Sequence, residues 1–336
     1  MQHIVGTGAN GGAGATAGGG VGSDPVAESR REPRLGFVTC TSPVGMHRMA
    51  YHEWGDPTNP RVLVCVHGLS RSGRDFDRLA RCLTDQYRII CPDLVGRGQS
   101  DWLVNPAFYT VPQYVCDMVT LLARIDAQTL HWVGTSLGGL VGMALGGNAA
   151  LSMKHRNVPV GERQLAATDG LRIERIVLND VGPHINPASL MRIGQHVSEP
   201  GGFDSFAHAR DYVRHTAATF GPHTDEQWDE LTHNVYVKQD GRWVKHYDLG
   251  ISASLASANP MTALAGEQLL WQAYDALDGP VLIVRGEQSD LLTTQTTREM
   301  LARNAHARLI EFAGVGHAPT LMHDAQIEPV VRFLLD

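Results

Sequence analysis

Gly134-Thr135-Ser136-Leu137-Gly138 sets one hydroxyl on a stretch with no bulk two positions before it and two after. A short apolar run, Leu130 to Val133, precedes it and reads as a buried strand; Leu140, Val141, Met143, Ala144 and Leu145 follow as helix. A serine on so tight a turn exposes Oγ at the strand's end, and the crowded backbone demands small neighbours. The chemistry this suits is nucleophilic attack. The same turn puts the Leu137 N–H at a helix N-terminus, where an oxyanion could be held. A bare Gly-x-Ser-x-Gly arises by chance in a chain with 36 glycines, so its weight rests on its flanks and on partners elsewhere.

A serine nucleophile needs a base within hydrogen-bond reach and a carboxylate to orient that base. His317 lies between small residues in Gly314-Val315-Gly316-His317-Ala318-Pro319, with no apolar face for a structural histidine to fill. It is the expected base. Two aspartates end strand-like runs and could orient it: Asp290 after Val281 to Arg285, and Asp180 after Ile173 to Leu178. Asp290 is the expected acid, because its strand would neighbour the one that leads to His317. Asp180 is the alternative, or else a turn residue before Gly182-Pro183. The second oxyanion donor is expected to be the Leu69 N–H, after His67-Gly68. Asp93 and Asp101 read as structural supports of the glycine-rich loop between them.

The elements that must position these residues alternate. Val62 to Val66, Tyr87 to Cys91, Leu130 to Val133, Ile173 to Leu178, Val281 to Arg285 and Ala307 to Phe312 read as strands, several of them apolar throughout. Helical spacing predicts Arg74 to Thr84, Thr110 to Ile125, the run after Ser136, Glu267 to Leu277, Thr294 to Asn304 and Ile327 to Leu334. Such alternation specifies a doubly wound parallel sheet, whose sites lie at the carboxyl ends of its strands. Phe37 to Thr41 and Met46 to Trp54 read as two earlier strands.

Residues 1–34 are rich in glycine and alanine and poor in apolar side chains, and are expected to be disordered. Gly6-x-Gly8-x-x-Gly11 within them is low complexity, since no βαβ unit surrounds it. Asn148 to Gly170 reads as a polar surface excursion. Residues 184–264 break the rhythm with short helices at Leu190 to Val197, Phe203 to Phe220, Asp225 to Val237 and Leu249 to Ala258. They would form a cap over the rim, leaving a core of 35–183 and 265–336.

His67-Gly68-Leu69, Pro92-Asp93-Leu94-x-Gly96-x-Gly98-x-Ser100, Gly134-x-Ser136-x-Gly138-Gly139, Gly286-x-x-Ser289-Asp290 and Gly316-His317 occur in that order. In this the chain resembles the α/β-hydrolase superfamily from about Phe37 to Leu335, and bacterial carboxylesterase and lipase-like members above all. The resemblance implies an α/β fold with a mostly parallel eight-stranded sheet, a helical cap and a triad carried onto Ser136, Asp290 and His317. It implies cleavage of small to medium carboxylic esters through an acyl-enzyme. The same three residues would also serve an enol-lactone hydrolase or a carbon–carbon hydrolase of vinylogous diketones. A ligand-binding protein on the same scaffold is a further reading, which fluorophosphonate labelling of Ser136 would separate.

The totals exclude other classes. The chain of 336 residues carries a net charge of −7, which offers nothing to nucleic acid. No apolar run approaches the roughly 20 residues that span a bilayer. Five cysteines without a C-x-x-C pair suggest buried thiols in a reducing, cytoplasmic setting. Sixteen scattered histidines show no ligand spacing, so neither metal nor cofactor is expected. The expected partner is a small-molecule ester.

Overall fold

The structure is a computed structural model that describes residues 32–127, 129–154, 170–199, 201–253 and 260–336. Eight strands form one sheet: β1 (Arg34–Ser42), β2 (Gly45–Trp54), β3 (Val62–Val66), β4 (Arg88–Pro92), β5 (Thr129–Thr135), β6 (Arg172–Asn179) and two late strands. Between β6 and those late strands lie β7 (Gly202–Phe203), β8 (Tyr236–Gln239) and β9 (Arg242–Lys245), which make a separate antiparallel sheet. β10 (Val281–Gly286) and β11 (Ala307–Phe312) complete the large one, in the order β1-β2-β4-β3-β5-β6-β10-β11. β1 to β2 and β2 to β4 are antiparallel; every other pairing is parallel.

The apolar strands follow from burial on both faces. In β3, Val62, Val64 and Val66 enter one core, while Leu63 and Cys65 enter the other. α1 (Asp77–Leu83) covers the second face through Leu79, Ala80 and Leu83. α2 (Val111–Arg124) and α3 (Leu137–Lys154) cover the first, with Tyr114, Met118 and Leu121 from α2 and Val141 and Met143 from α3.

The insert after β6 contains α4 (Pro187–Ser198), α5 (Phe206–Thr216) and α6 (Asp225–His233). Lys245 of β9 donates from Nζ to the carbonyls of His196, Val197 and Glu199, so a cation meets the free carbonyls at the C-terminal end of α4. α7 (Pro260–Ala276), α8 (Thr294–Arg303) and α9 (Asp324–Leu335) complete the α-helices among the described residues, with α9 packing against α1. Among the described residues, no helix is long and apolar enough to cross a membrane.

Three expectations change. Residues 148–154 continue α3 instead of opening a surface excursion. Gly147, inside that helix, admits a neighbour: a Cβ on it would lie 2.3 Å from the Ala273 carbonyl of α7. The insert is not purely helical, since β8 and β9 stand where a helix to Val237 and a loop were expected. Asp240-Gly241 joins them with positive φ at both residues (49° and 82°), the tight hairpin turn that Asp-Gly favours. Finally, Arg34 already belongs to β1. Residues 1–31 of the 1–34 expectation, with Gly6 to Gly11, lie outside the described residues, as do 155–169 and 254–259.

Candidate active site

β5, β6, β10 and β11 stand side by side, and their carboxyl ends carry Ser136, Asp180, the Gly286 turn and the His317 loop. Ser136 adopts φ 51°, a left-handed backbone that a β-carbon disfavours. Its two glycines are obligatory for close approach. A Cβ on Gly138 would sit 1.9 Å from the Val66 carbonyl, and one on Gly134 would sit 2.4 Å from the Gly138 backbone. A left-handed backbone at a half-buried serine on such a turn marks it as a candidate functional residue.

Asn179, which sequence reasoning passed over, links the serine turn to the histidine loop. Its carbonyl accepts the Ser136 N–H at 2.8 Å, while its buried amide Nδ2 donates to Thr135 Oγ1 at 3.0 Å and to the Pro319 carbonyl at 2.8 Å. The adjacent Leu178-Asn179-Asp180 was the available signal: an amide side chain at a strand's carboxyl end.

His317 Nδ1 donates to Asp180 Oδ2 at 2.7 Å. The structure therefore pairs the histidine with Asp180 and not with Asp290, the carboxylate preferred above. The reason lies in the turn after β10. Gly286 N donates to Asp180 Oδ1 at 3.0 Å, and Ser289 Oγ donates to Asp180 Oδ2 at 2.6 Å. Gly286-x-x-Ser289 thus serves a carboxylate on the adjoining strand. Asp180 N donates to the Val284 carbonyl at 2.7 Å, and at φ 57° the residue is turned in toward that loop. Its side chain is 0% exposed. Asp290 falls one position past the closed turn, 42% exposed, and pairs with Arg192 of α4. That guanidinium holds the Asp290 carboxyl below the usual carboxylate range.

With its proton on Nδ1, His317 leaves Nε2 free to act as a base. No hydrogen bond joins Ser136 Oγ to His317 in this structure; such contacts are often long in enzymes without substrate and tighten when it binds.

The loop after β3 lies against the serine turn, so that a Cβ on Gly68 would be 3.8 Å from that of Ser136. Among the described residues, the N–H groups of Leu69 and Leu137 donate to no protein acceptor. His67, fully buried, donates from Nδ1 to the Gly68 carbonyl at 2.7 Å and accepts the Leu94 N–H on Nε2 at 2.9 Å. Because Gly68 C=O and Leu69 N–H share one planar peptide, fixing the first aims the second. Asp93 and Asp101 are structural as expected: Asp93 accepts the N–H groups of Gly73 and Gln99, and Asp101 accepts that of Arg48.

Burial pushes the His67 imidazole down to about 4 from 6.5. The folded protein keeps it neutral while the unfolded chain takes up a proton near 6.5. Stability is therefore full above about pH 7 and falls as pH drops toward 4, by about 3 kcal/mol from this residue. Urea unfolding midpoints measured from pH 7 to 4.5 should show that slope. In His67→Gln the slope should be shallower by about one proton.

One group of metal-binding residue types stands together among the described residues: Cys40, His47 and Asp117, all buried between β1, β2 and α2. Asp117 is already occupied, by His47 Nε2 at 3.0 Å and Gln113 Nε2 at 2.8 Å. His47 Nδ1 has no partner, whereas a ligating histidine usually carries a hydrogen bond on its other nitrogen. The group reads as a polar joint between hairpin and helix.

Residues 63–332 match the Alpha/beta hydrolase family. A 3-hydroxybutyrate-oligomer hydrolase of Cupriavidus necator is 46% identical over 305 residues, covering 90% of this chain and 97% of the relative. An esterase of Mycobacterium tuberculosis is 26% identical, covering 84% of this chain and 85% of its own length. The crystal structure of an α/β hydrolase from Novosphingobium aromaticivorans superposes with a TM-score of 0.73 at 33% identity, over 90% of this chain and 98% of that one. A sheet of this order, matched by family and relatives along nearly its whole length, makes the chain a hydrolase of the α/β-hydrolase superfamily.

Proposed function

We propose that this hydrolase cleaves the ester bonds of short hydroxyacid oligomers of the 3-hydroxybutyrate kind through an acyl-enzyme on Ser136. The observation that carries the mechanism is the buried Asp180–His317 hydrogen bond. It sets the imidazole tautomer that general-base catalysis needs. The substrate class is supported by the relative in Cupriavidus necator.

In this reading His317 Nε2 takes the proton of Ser136 Oγ as the oxygen attacks the ester carbonyl carbon. The carbonyl oxygen becomes an anion held by the Leu69 and Leu137 amides. Collapse of this tetrahedral species breaks the bond to the alcohol oxygen, which leaves with the proton from His317. Water, deprotonated by the same nitrogen, then attacks the acyl carbon and releases the acid and free Ser136. Asp180 orients His317 and stabilises its charged form; residues 184–264 form a cap over the rim.

Incubation with the linear dimer and trimer of 3-hydroxybutyrate is expected to release monomer, measured by chromatography. Turnover of p-nitrophenyl butyrate without oligomer cleavage would reduce the reading to that of a simple carboxylesterase. A folded protein inactive on both would overturn it.

A further inference from the structure

Arg97, in the loop after β4, is 0% exposed. Its Nε donates to the Leu69 carbonyl at 2.8 Å; Nη1 donates to the Val95 carbonyl at 2.6 Å and to Tyr114 Oη at 2.8 Å. The guanidinium lies 5.5 Å and 5.0 Å from the ring centres of Tyr109 and Tyr114. Nη2 has no partner, and no carboxylate forms an ion pair with this arginine among the described residues. A buried charge without its counter-charge is a costly arrangement that folds ordinarily avoid. Facing aromatic rings offset only part of that cost.

The placement suggests what the cost serves. The Gly68 carbonyl is held by His67 Nδ1 and by the Arg71 N–H at 3.2 Å, and the Leu69 carbonyl by Arg97. Both peptide units flanking the Leu69 α-carbon are thereby fixed, and with them the direction of the Leu69 N–H. An anion arises beside that N–H only while the ester carbon is tetrahedral. We propose that Arg97 is a positioning residue of the oxyanion site, locking Leu69 through its carbonyl and supplying a buried positive charge whose counter-charge forms only in the transition state. Such a charge favours the transition state over bound substrate, and so acts on kcat more than on KM. The inference rests on the acyl-enzyme reading above.

The test compares wild type, Arg97→Met and Arg97→Lys with p-nitrophenyl butyrate. Rates are normalised to sites titrated to completion with a fluorophosphonate, and folding is checked by thermal melting. Arg97→Met should lose on the order of 100-fold in kcat per titrated site, with KM within about threefold. Its affinity for a trifluoromethyl ketone, which adds to serine as a tetrahedral anion, should fall by a comparable factor. Arg97→Lys should recover roughly tenfold of the loss, since charge returns without the fork. A folded, fully titratable Arg97→Met with kcat within threefold of wild type would overturn the proposal, as would a fall in kcat with ketone affinity unchanged. Should Arg97→Met not fold, Arg97→Lys decides alone: about tenfold lower kcat supports the proposal and an unchanged kcat overturns it. Ser136→Ala separates the two levels. Full activity in that variant overturns the acyl-enzyme itself, whereas an inert Ser136→Ala beside an unaffected Arg97→Met overturns only this inference.

Discussion

Ser136→Ala is expected to lower kcat by roughly 10⁴- to 10⁶-fold while leaving the melting temperature within a few degrees of wild type. The hydroxyl is partly exposed at the end of β5 and carries none of the turn's support, which comes from Ser136 N on the Asn179 carbonyl and from the fit of Gly134 and Gly138. Alanine keeps the β-carbon, so the left-handed backbone is no worse strained than before. What remains should be the activity of the two amides alone, acting on water without a nucleophile. Labelling by a fluorophosphonate should vanish in parallel. A variant that still labels, or still turns over near the wild-type rate, would remove the serine from the mechanism.

Asp180→Asn should cost about 10⁴-fold in kcat, and Asp290→Asn no more than a few-fold. Asp180 accepts three hydrogen bonds, from Gly286 N, Ser289 Oγ and His317 Nδ1. An amide there can offer its oxygen to only part of this set. If NH₂ faces the imidazole, Nδ1 must accept, the proton moves to Nε2, and the base is lost. Full burial leaves no water to repair the mismatch. Asp290 is half exposed and bound to a similarly exposed Arg192, a pair whose loss ordinarily amounts to less than about 1 kcal/mol. Steady-state kinetics on both variants, with melting curves, decides between the two carboxylates. Loss of activity in Asp290→Asn alone would reverse the assignment made from the geometry.

The parallel sheet was legible because each of its inner strands is apolar on both faces, a pattern that β3 shows by splitting its side chains between two cores. Ser136 and His317 stood out as candidates because small residues crowd both, and crowding by small residues is a backbone requirement written directly in residue type. The choice between Asp180 and Asp290 was not. β6 and β10 are adjacent, so either strand end could face the histidine, and the decision falls to where one turn closes. Ser289 and Asp290 differ by a single position along that turn, yet one hydroxyl points inward to Asp180 and the next carboxylate outward to Arg192. Arg97 was hidden for a related reason: a single residue between two glycines gives no hint that its side chain returns beneath Leu69. The small sheet of the insert was readable at Asp240-Gly241, but the helical spacing around it masked that signal.

Asn179 joins two loops that lie far apart along the chain, and its anchorage is inside the sheet, not in the insert. The turn after β5 and the loop after β11 are therefore expected to move together. The histidine loop is held from the insert as well, through Gly316 N on the Thr219 carbonyl at 2.6 Å, so warming that frays the insert should loosen the loop after β11 before the turn after β5, with Asn179 the tie that keeps the two together longest.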